Sequence, residues 1–452
     1  MDIEALEALR PELERFAQDF DDCIKTQPSR KHFRRYMAGQ LGDLGRKCVE
    51  PIALQAGIPP RNLQQFLSLH RWDDGAMVDC LQRRVARRHG HAEAIALIDE
   101  TSFPKKGDKT PGVQRQHCGA SGKVDNCMVS VHLGYVAQGF HAILDSDIYL
   151  PESWLEDADR CEEAGIPAST PYRTKPEIAV EQLNAATKRG VAMAWLCADE
   201  LYGRSHQFRV DVAALGLKYA VEIPCNLNGW LASRGTDLQA RRVDDLWRRG
   251  GPSWETWHVK DTEKGPAVWD ARAVRFHPRE EGVAGDEQWL IVARNALNHA
   301  EIKYFLCNAS GETSLGAMLG VAFYRWHIER LFRESKNETG LDHFEGRSYL
   351  GWRRHLLLTS VSILFLSEQR KRMRTEEHPF TLEQVKQAVE VQLDPEMPRT
   401  EVRRLLKKVL FRIQYHQRRN ATARRSHAKT RRKRLEEAGV DLDAMRRCTV
   451  TL

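Results

Sequence analysis

The spacing of apolar positions changes character along the chain. Up to about residue 90 they recur at helical intervals, as in Leu6, Leu9, Leu13 and Phe16, and again in Leu63, Phe66, Leu67 and Leu69. Between these runs, PIALQAGIPPRNLQQFLS is broken at Gly57-Ile-Pro-Pro, which predicts two short helices joined by a sharp turn. From Ala94 the pattern shifts to short apolar runs. AIALID (94–99), NCMVSVHLGYVA (126–137) and GFHAILDSDIYL (139–150) read as three strands. PEIAVEQLNAATKRG (176–190) reads as an amphipathic helix with Pro176 in its first turn and Gly190 at its stop. AWLCADE (194–200) is a further strand, 205–215 a helix, and KYAVEIP (218–224) a fifth strand. Three strands, helix, strand, helix, strand predicts an antiparallel meander with the fourth strand beside the first. Asp99 and Asp199 then sit at carboxyl ends of strands, where open α/β sheets gather ligands.

Residues 226–300 differ again. They hold Trp230, Trp247, Trp254, Trp257, Trp269 and Trp289, six of the eleven tryptophans, in alternating segments such as WETWHVKDT and QWLIVARNA. This predicts an all-β insertion. Helical periodicity returns from about Ser314 and persists to the C-terminal region. A length of 452 residues suits about three cores. The expected division is a helical N-terminal domain (1–90), whose broken helix pair resembles a helix–turn–helix in outline and so is expected to bind DNA, an α/β domain in two parts (91–225 and 301–375), the β-rich insertion (226–300) and a helical C-terminal segment (376–452).

Composition narrows the class. At 42% apolar and 29% charged, the chain is neither mainly disordered nor membrane-embedded. Its longest apolar run, Leu356 to Leu366, is eleven residues, against the ~20 that span a bilayer. The acidic start MDIEALEALRPELERF has no secretory pattern, so a cytoplasmic protein is expected. The ten cysteines form no C-x-x-C pair, which argues against structural zinc and for free thiols.

Charge is unevenly placed. Residues 399–434 hold fifteen Lys/Arg and one acid, so this segment carries +14 where the whole chain carries only +7. A basic segment on an acidic body predicts a polyanionic partner; the plainer alternative is a solvated helix.

Three acids stand out: Asp99, Asp199 and Glu329, the last in LGVAFYRWHIERLFRESKNETG. On a helical wheel Arg325, Glu329, Phe332 and Lys336 share a face, whereas Glu334 points away and reads as a surface residue; Glu338 also points elsewhere. Three carboxylates from two strands and a helix make a hard oxygen site suited to Mg²⁺ or Mn²⁺. Two such ions ~3.5–4 Å apart stabilise the attacking and leaving oxygens of a phosphodiester displacement. Taken singly, a strand-end aspartate more often caps a turn and a helical glutamate is more often a solvated ion-pair partner. Asp145 and Asp147 are read as turn caps. Lys105 and Lys106 follow Asp99 and are candidates for touching the scissile strand, or for a solvated loop. No G-x-x-x-x-G-K-[ST] loop is present, so ATP use is not indicated.

IALIDETSFPKKG, CADELYGR and YRWHIERLFRESK together resemble bacterial insertion-sequence transposases of the DDE class, in the branch with a Tyr-x-x-Arg-x-x-x-Glu-x-x-x-x-x-x-Lys signature. GVQRQHCGASGKVDNC (112–127), DIYLPESWLEDADRC (147–161), RTKPE (173–177) and GLDHFEGRSYLGWRRH (340–355) extend the likeness over roughly residues 30–370. The resemblance implies an RNase H-like α/β catalytic domain interrupted by the β insertion, with Asp99, Asp199 and Glu329 as metal-binding triad and Arg325 and Lys336 as the signature cations. The signature tyrosine falls on Ala322, with Tyr324 nearest, so the route of second-strand cleavage is not implied. It further implies a nucleoid-associated transposase that binds double-stranded DNA at terminal inverted repeats, frees a 3′-OH and joins it to target DNA, working as a homodimer on paired ends. A structure-specific nuclease without strand transfer, or a DNA-binding protein derived from a transposase, are the alternatives.

Overall fold

The computed structural model describes residues 3–235, 239–246, 252–373 and 380–448. The N-terminal stretch forms α1 (Ile3–Glu7), α2 (Leu9–Gln18), α3 (Gln27–Leu41), α4 (Val49–Gln55), α5 (Pro60–Ser68) and α6 (Asp74–His89). Gly57, at φ +64, makes the break between α4 and α5, and Pro60 begins α5, where its missing N–H costs no helical bond. Next come β1 (Ile95–Pro104), β2 (Gln114–Cys118), β3 (Lys123–Ala137), β4 (Phe140–Tyr149), α7 (Glu152–Leu155), α8 (Ala158–Ala164), α9 (Lys175–Lys188), β5 (Trp195–Ala198), α10 (Glu200–Gly203), α11 (His206–Ala214) and β6 (Lys218–Glu222). Thr174 and Glu177 form a reciprocal capping box that starts α9. The tryptophan-rich region supplies β7 (Asn228–Leu231), β8 (Arg241–Arg242), α12 (Val243–Leu246), β9 (Glu255–Thr262), β10 (Gly265–Glu280), β11 (Val283–Ala284), β12 (Gln288–Asn295) and β13 (Asn298–Cys307). The rest is α13 (Leu315–Ala322), α14 (Trp326–Glu334), α15 (Tyr349–Met373), α16 (Leu382–Glu390), α17 (Arg399–Glu437) and β14 (Arg446–Arg447). The protein is thus of mixed α/β class.

Two compact units divide these elements. The first comprises 1–90, 99–191 and 328–415. Its axis is α15, which contains the eleven-residue apolar run. Leu356, Leu358, Val361, Ile363, Leu364, Phe365 and Leu366 are at most 1% exposed, so the middle of this helix is buried on every side. At ~1.5–3 kcal/mol for each large apolar side chain removed from water, such a helix anchors the unit. Several of its polar groups are matched: Gln40 of α3 donates to Thr359 and accepts from Ser362, and Arg354 donates to the carbonyls of Leu67, His70 and Trp72. No helix among the described residues is long and apolar enough to cross a membrane. β3 pairs with both β2 and β4 in antiparallel fashion and neighbours β1.

The second unit comprises 91–98, 192–327 and 416–452. Its sheet runs β14-β9-β10-β12-β13-β6-β5 and on to the first residues of β1. β1, β5 and β6 are parallel, and β13 joins β6 in antiparallel register through Phe305↔Glu222.

Several expectations need correction. β1 does not end at Asp99 but runs to Pro104, because Thr101, Ser102 and Phe103 are buried and keep the strand going. β2 went unread because its residues, Gln-Arg-Gln-His, show no apolar alternation. β5 stops at Ala198, before the expected end, because Asp199 turns to cap α10. Asp145 and Asp147 cap no turn; they lie inside β4. All ten cysteines are free thiols.

Among the described residues the first unit buries four histidines, of which His132, His141 and His355 are the most deeply enclosed. Burial, reinforced by Lys336, holds His132 down to about 3. Burial, with Arg370 and against Glu334, holds His141 at about 4, and burial holds His355 at about 4. Each is neutral when folded and titrates near 6.5 when unfolded, so unfolding takes up protons between pH 6.5 and 4. This stabilising contribution is whole above pH 6.5 and is lost as pH falls, by up to ~1.4 kcal/mol per pH unit per histidine. The thermal midpoint is expected to fall steeply from pH 7 to pH 5; a midpoint unchanged over that range would contradict it.

Candidate active site

The parallel ladder of β1 and β5 pairs Ile95↔Trp195, Ala96↔Leu196, Leu97↔Cys197 and Ile98↔Ala198. Asp99 follows Ile98 within β1, and Asp199 follows Ala198 just past the end of β5. Asp99 is 8% exposed, and its Oδ1 accepts the Glu100 N–H at 2.8 Å. Asp199 Oδ1 accepts the Leu201 N–H at 2.9 Å and so caps α10.

Glu329 is exposed on α14, while Ile328 and Leu331 of that helix are fully buried. Within the first unit Phe332 packs edge-on against His132 of β3, with ring centroids 4.9 Å apart. His132 Nε2 lies 2.6 Å from Ser130 Oγ and Nδ1 lies 2.7 Å from Ser146 Oγ. α14 therefore lies over β3, the neighbour of β1. The helix is not α-helical throughout: Phe323–Arg325 is a 3₁₀ turn and Ser335–Thr339 a π turn. A single wheel through 325–336 thus misplaces its ends, and Lys336 sits on the π turn, a feature frequent at functional sites. That turn is braced from below. Lys47 donates to the carbonyls of Gln40 and Glu338, and Tyr36 lies 2.9 Å from Nδ1 of His355, whose Nε2 reaches the Gly340 carbonyl at 3.1 Å.

The cations differ in placement. Lys336 is half-buried, and burial lowers its pKa against the pull of Asp342. Arg325, in the second unit, stands 4.0 Å from Glu222. Tyr324 stacks on His327, and Ala322, at the signature tyrosine position, is buried. Lys105 turns inward: Nζ donates to the Phe344 carbonyl at 3.0 Å and lies 4.7 Å over the Trp352 ring, which gives it a packing role. Lys106 is exposed.

Neighbouring acids separate into roles that the sequence misjudged. Glu334 is not a surface residue. Its side chain is 13% exposed, 2.8 Å from Arg330 Nε and 2.9 Å from His141 Nε2. Burial opposes its ionisation, but His141, Arg330 and Arg370 outweigh it and hold it at about 2. Glu338 is also buried, 3.9 Å from Lys386. Asp147 pairs with Arg173 of the RTKPE stretch at 2.7 Å. Asp145, raised to about 6 by burial and by Asp147, carries a perturbation that no sequence pattern signalled. Of the tryptophans, Trp257 and Trp269 are core, Arg272 and Arg294 cover Trp254, Arg275 covers Trp289, and Trp247 lies outside the described residues.

Asp99, Asp199 and Glu329 offer only carboxylate oxygens, the donor type a hard divalent cation prefers. Two of the three acids directly follow paired residues. Among the described residues, however, no three His, Cys, Asp or Glu side chains stand together as a ready metal cage.

The family model for the DDE superfamily endonucleases matches residues 19–278, more than half the chain and including Asp99 and Asp199. The chain belongs to this superfamily. DDE endonucleases use divalent metal ions. The chain is 30% identical over 216 residues to a probable transposase of insertion sequence element IS701 from Microchaete diplosiphon, covering 47% of the present chain and 54% of the relative. It therefore spans about half that relative's length. The NurA nuclease from Sulfolobus solfataricus aligns over 58% of this chain and 92% of its own at 10% identity, with a TM-score of 0.22, too loose to carry an argument. The family match ends before Glu329, so the third acid rests on its signature spacing alone.

Proposed function

We propose that this protein is an insertion-sequence transposase that hydrolyses a phosphodiester at element ends and transfers the freed 3′-OH to target DNA. The supporting observation is that Asp99 and Asp199 directly follow the paired residues Ile98 and Ala198, in a chain whose family match covers both. In this reading 91–225 and 301–375 form an RNase H-like domain interrupted by 226–300, with 1–90 and 376–452 flanking it.

Asp99, Asp199 and Glu329 would hold the metal, Mg²⁺ or in its place Mn²⁺. When bound, such a cation supplies Lewis-acid stabilisation of the attacking and leaving oxygens. The protein's own part is positioning. In this reading Asp99 and Asp199 follow the paired residues Ile98 and Ala198, and α14 carries the third acid. Arg325 and Lys336 hold phosphates of the strand being cut, and Lys106 offers a further contact. Water is the first nucleophile and the 3′-OH the second, so no covalent protein intermediate is required. Pairing two ends implies a homodimer on double-stranded DNA.

The test is cleavage of a labelled DNA carrying the element end. Mg²⁺ and Mn²⁺ are expected to support cleavage, and Ca²⁺ to support binding with little cleavage. Full cleavage in excess EDTA would overturn the reading.

A further inference from the structure

The second half of α17 is held on the β-rich part of the second unit by its C-terminal end. Leu435 is fully buried with Val268 and Ala296, and Leu297, Val440, Leu442 and Met445 close around them. Beyond the helix, β14 runs parallel to β9 through Arg446↔Trp257. The turn between β9 and β10 comes close to the helix as well. Gly265 has φ +101, and a Cβ there would stand 2.9 Å from Ala428 Cα and 2.8 Å from Arg431 Cβ. Only glycine serves at this position, for conformation and for space.

Close approach at two small residues leaves the long side chains on either side to wall a groove of about 550 Å³. On the helix its lining includes Arg424, His427, Arg431 and Arg434, spaced three, four and three residues apart and hence on one face. Glu263 and Lys264 supply the opposite wall. Four cations thus meet one acid. Arg431 Nε is buried there with no hydrogen-bond partner, a costly arrangement for a charged donor until an acceptor arrives.

We propose that this groove binds the phosphate backbone of double-stranded DNA. The proposal rests on the transposase reading and goes beyond it by locating a contact outside the carboxylate site. The chemistry and shape agree. Arginine forks suit phosphate oxygens. The stripe from Arg424 to Arg434 is about 15 Å long, which matches about four phosphates at 3.4 Å of axial rise per strand. A stripe of this kind suits an extended polyanion; a small anion would call for a closed cup.

The test compares two triple variants of equal charge in the full-length protein. One replaces Arg424, Arg431 and Arg434 by glutamine. The other replaces Arg418, Arg425 and Arg432, on the opposite face of the same helix. Binding to an arbitrary duplex is titrated with salt, and equal thermal midpoints establish folding. Each lost phosphate contact flattens the log–log slope by about 0.9, so the groove triple is expected to lower the slope by about 2.7 and the control by less than 1. Equal slopes for the two triples, or a groove triple that matches wild type, would overturn the groove. Should the groove triple not fold, the double variant Lys264→Gln/Arg424→Gln, both exposed, is expected to lower the slope by about 1.8, and no change would equally overturn it. Absence of DNA binding by the wild type would instead remove the transposase reading, and the groove with it.

Discussion

Asp199→Asn is expected to reduce DNA cleavage by at least ~10³-fold while leaving DNA binding and folding intact, a loss beyond the ~10–100-fold that removing an outer partner of a metal ligand costs. The substitution separates the two roles this residue can have. Asp199 caps α10 by accepting the Leu201 N–H, and asparagine caps a helix about as well as aspartate. A cap-only residue would therefore leave Asp199→Asn near wild type in stability and rate. Asp199→Ala, by contrast, loses the cap at ~1 kcal/mol as well as the charge. Cleavage assays with thermal melts on both variants decide it: full activity in Asp199→Asn would reduce the residue to a structural cap.

The second large effect separates two glutamates on one helix. Glu329→Gln is expected to abolish cleavage and to change stability by no more than ~0.5 kcal/mol, since Glu329 is exposed. Glu334→Gln is expected to do the reverse. It removes the charge that faces the partly exposed Arg330 and the neutral, buried His141, and leaving such a group without its charged partner costs ~1–3 kcal/mol. The remaining folded Glu334→Gln protein should cut at near wild-type rate. Because Glu334 is held at about 2, its contribution is present above the ordinary carboxylate pKa near 4.5 and is lost as pH falls toward 2. The stability difference between wild type and Glu334→Gln should therefore shrink on acidification through that window. An inactive, fully stable Glu334→Gln would mean that the two assignments are interchanged.

Periodicity made much of the fold legible. β3, β4, α9, α11 and β6 lie where apolar spacing places them, because each buries a regular stripe. β2 was illegible because it is polar, and the continuation of β1 past Asp99 because Glu-Thr-Ser carries no apolar pattern even though Thr101 and Ser102 are buried. The aspartates were legible as acids following apolar strands. The pairing of Ile98 with Ala198, which they follow, was not, since pairing across some hundred residues leaves no mark in local sequence. Glu334 shows the limit of a helical wheel. Within the α-helical stretch Trp326–Glu334 the wheel gives a direction about the axis, but whether that direction meets solvent or His141 depends on what packs there. Lys105 likewise looked like a cation beside the site until Trp352 and the Phe344 carbonyl enclosed it.

The central claim is that the three acids serve strand transfer as well as cutting. Its most direct measurement starts from a DNA end already bearing a free 3′-OH, mixed with the purified protein, Mg²⁺ and a supercoiled target plasmid. Covalent joining of the end to the plasmid is expected for the wild type and is expected to be lost in Asp199→Asn and Glu329→Gln, which still bind the end. Wild-type protein that nicks or degrades the plasmid without ever producing a joined molecule would contradict the claim.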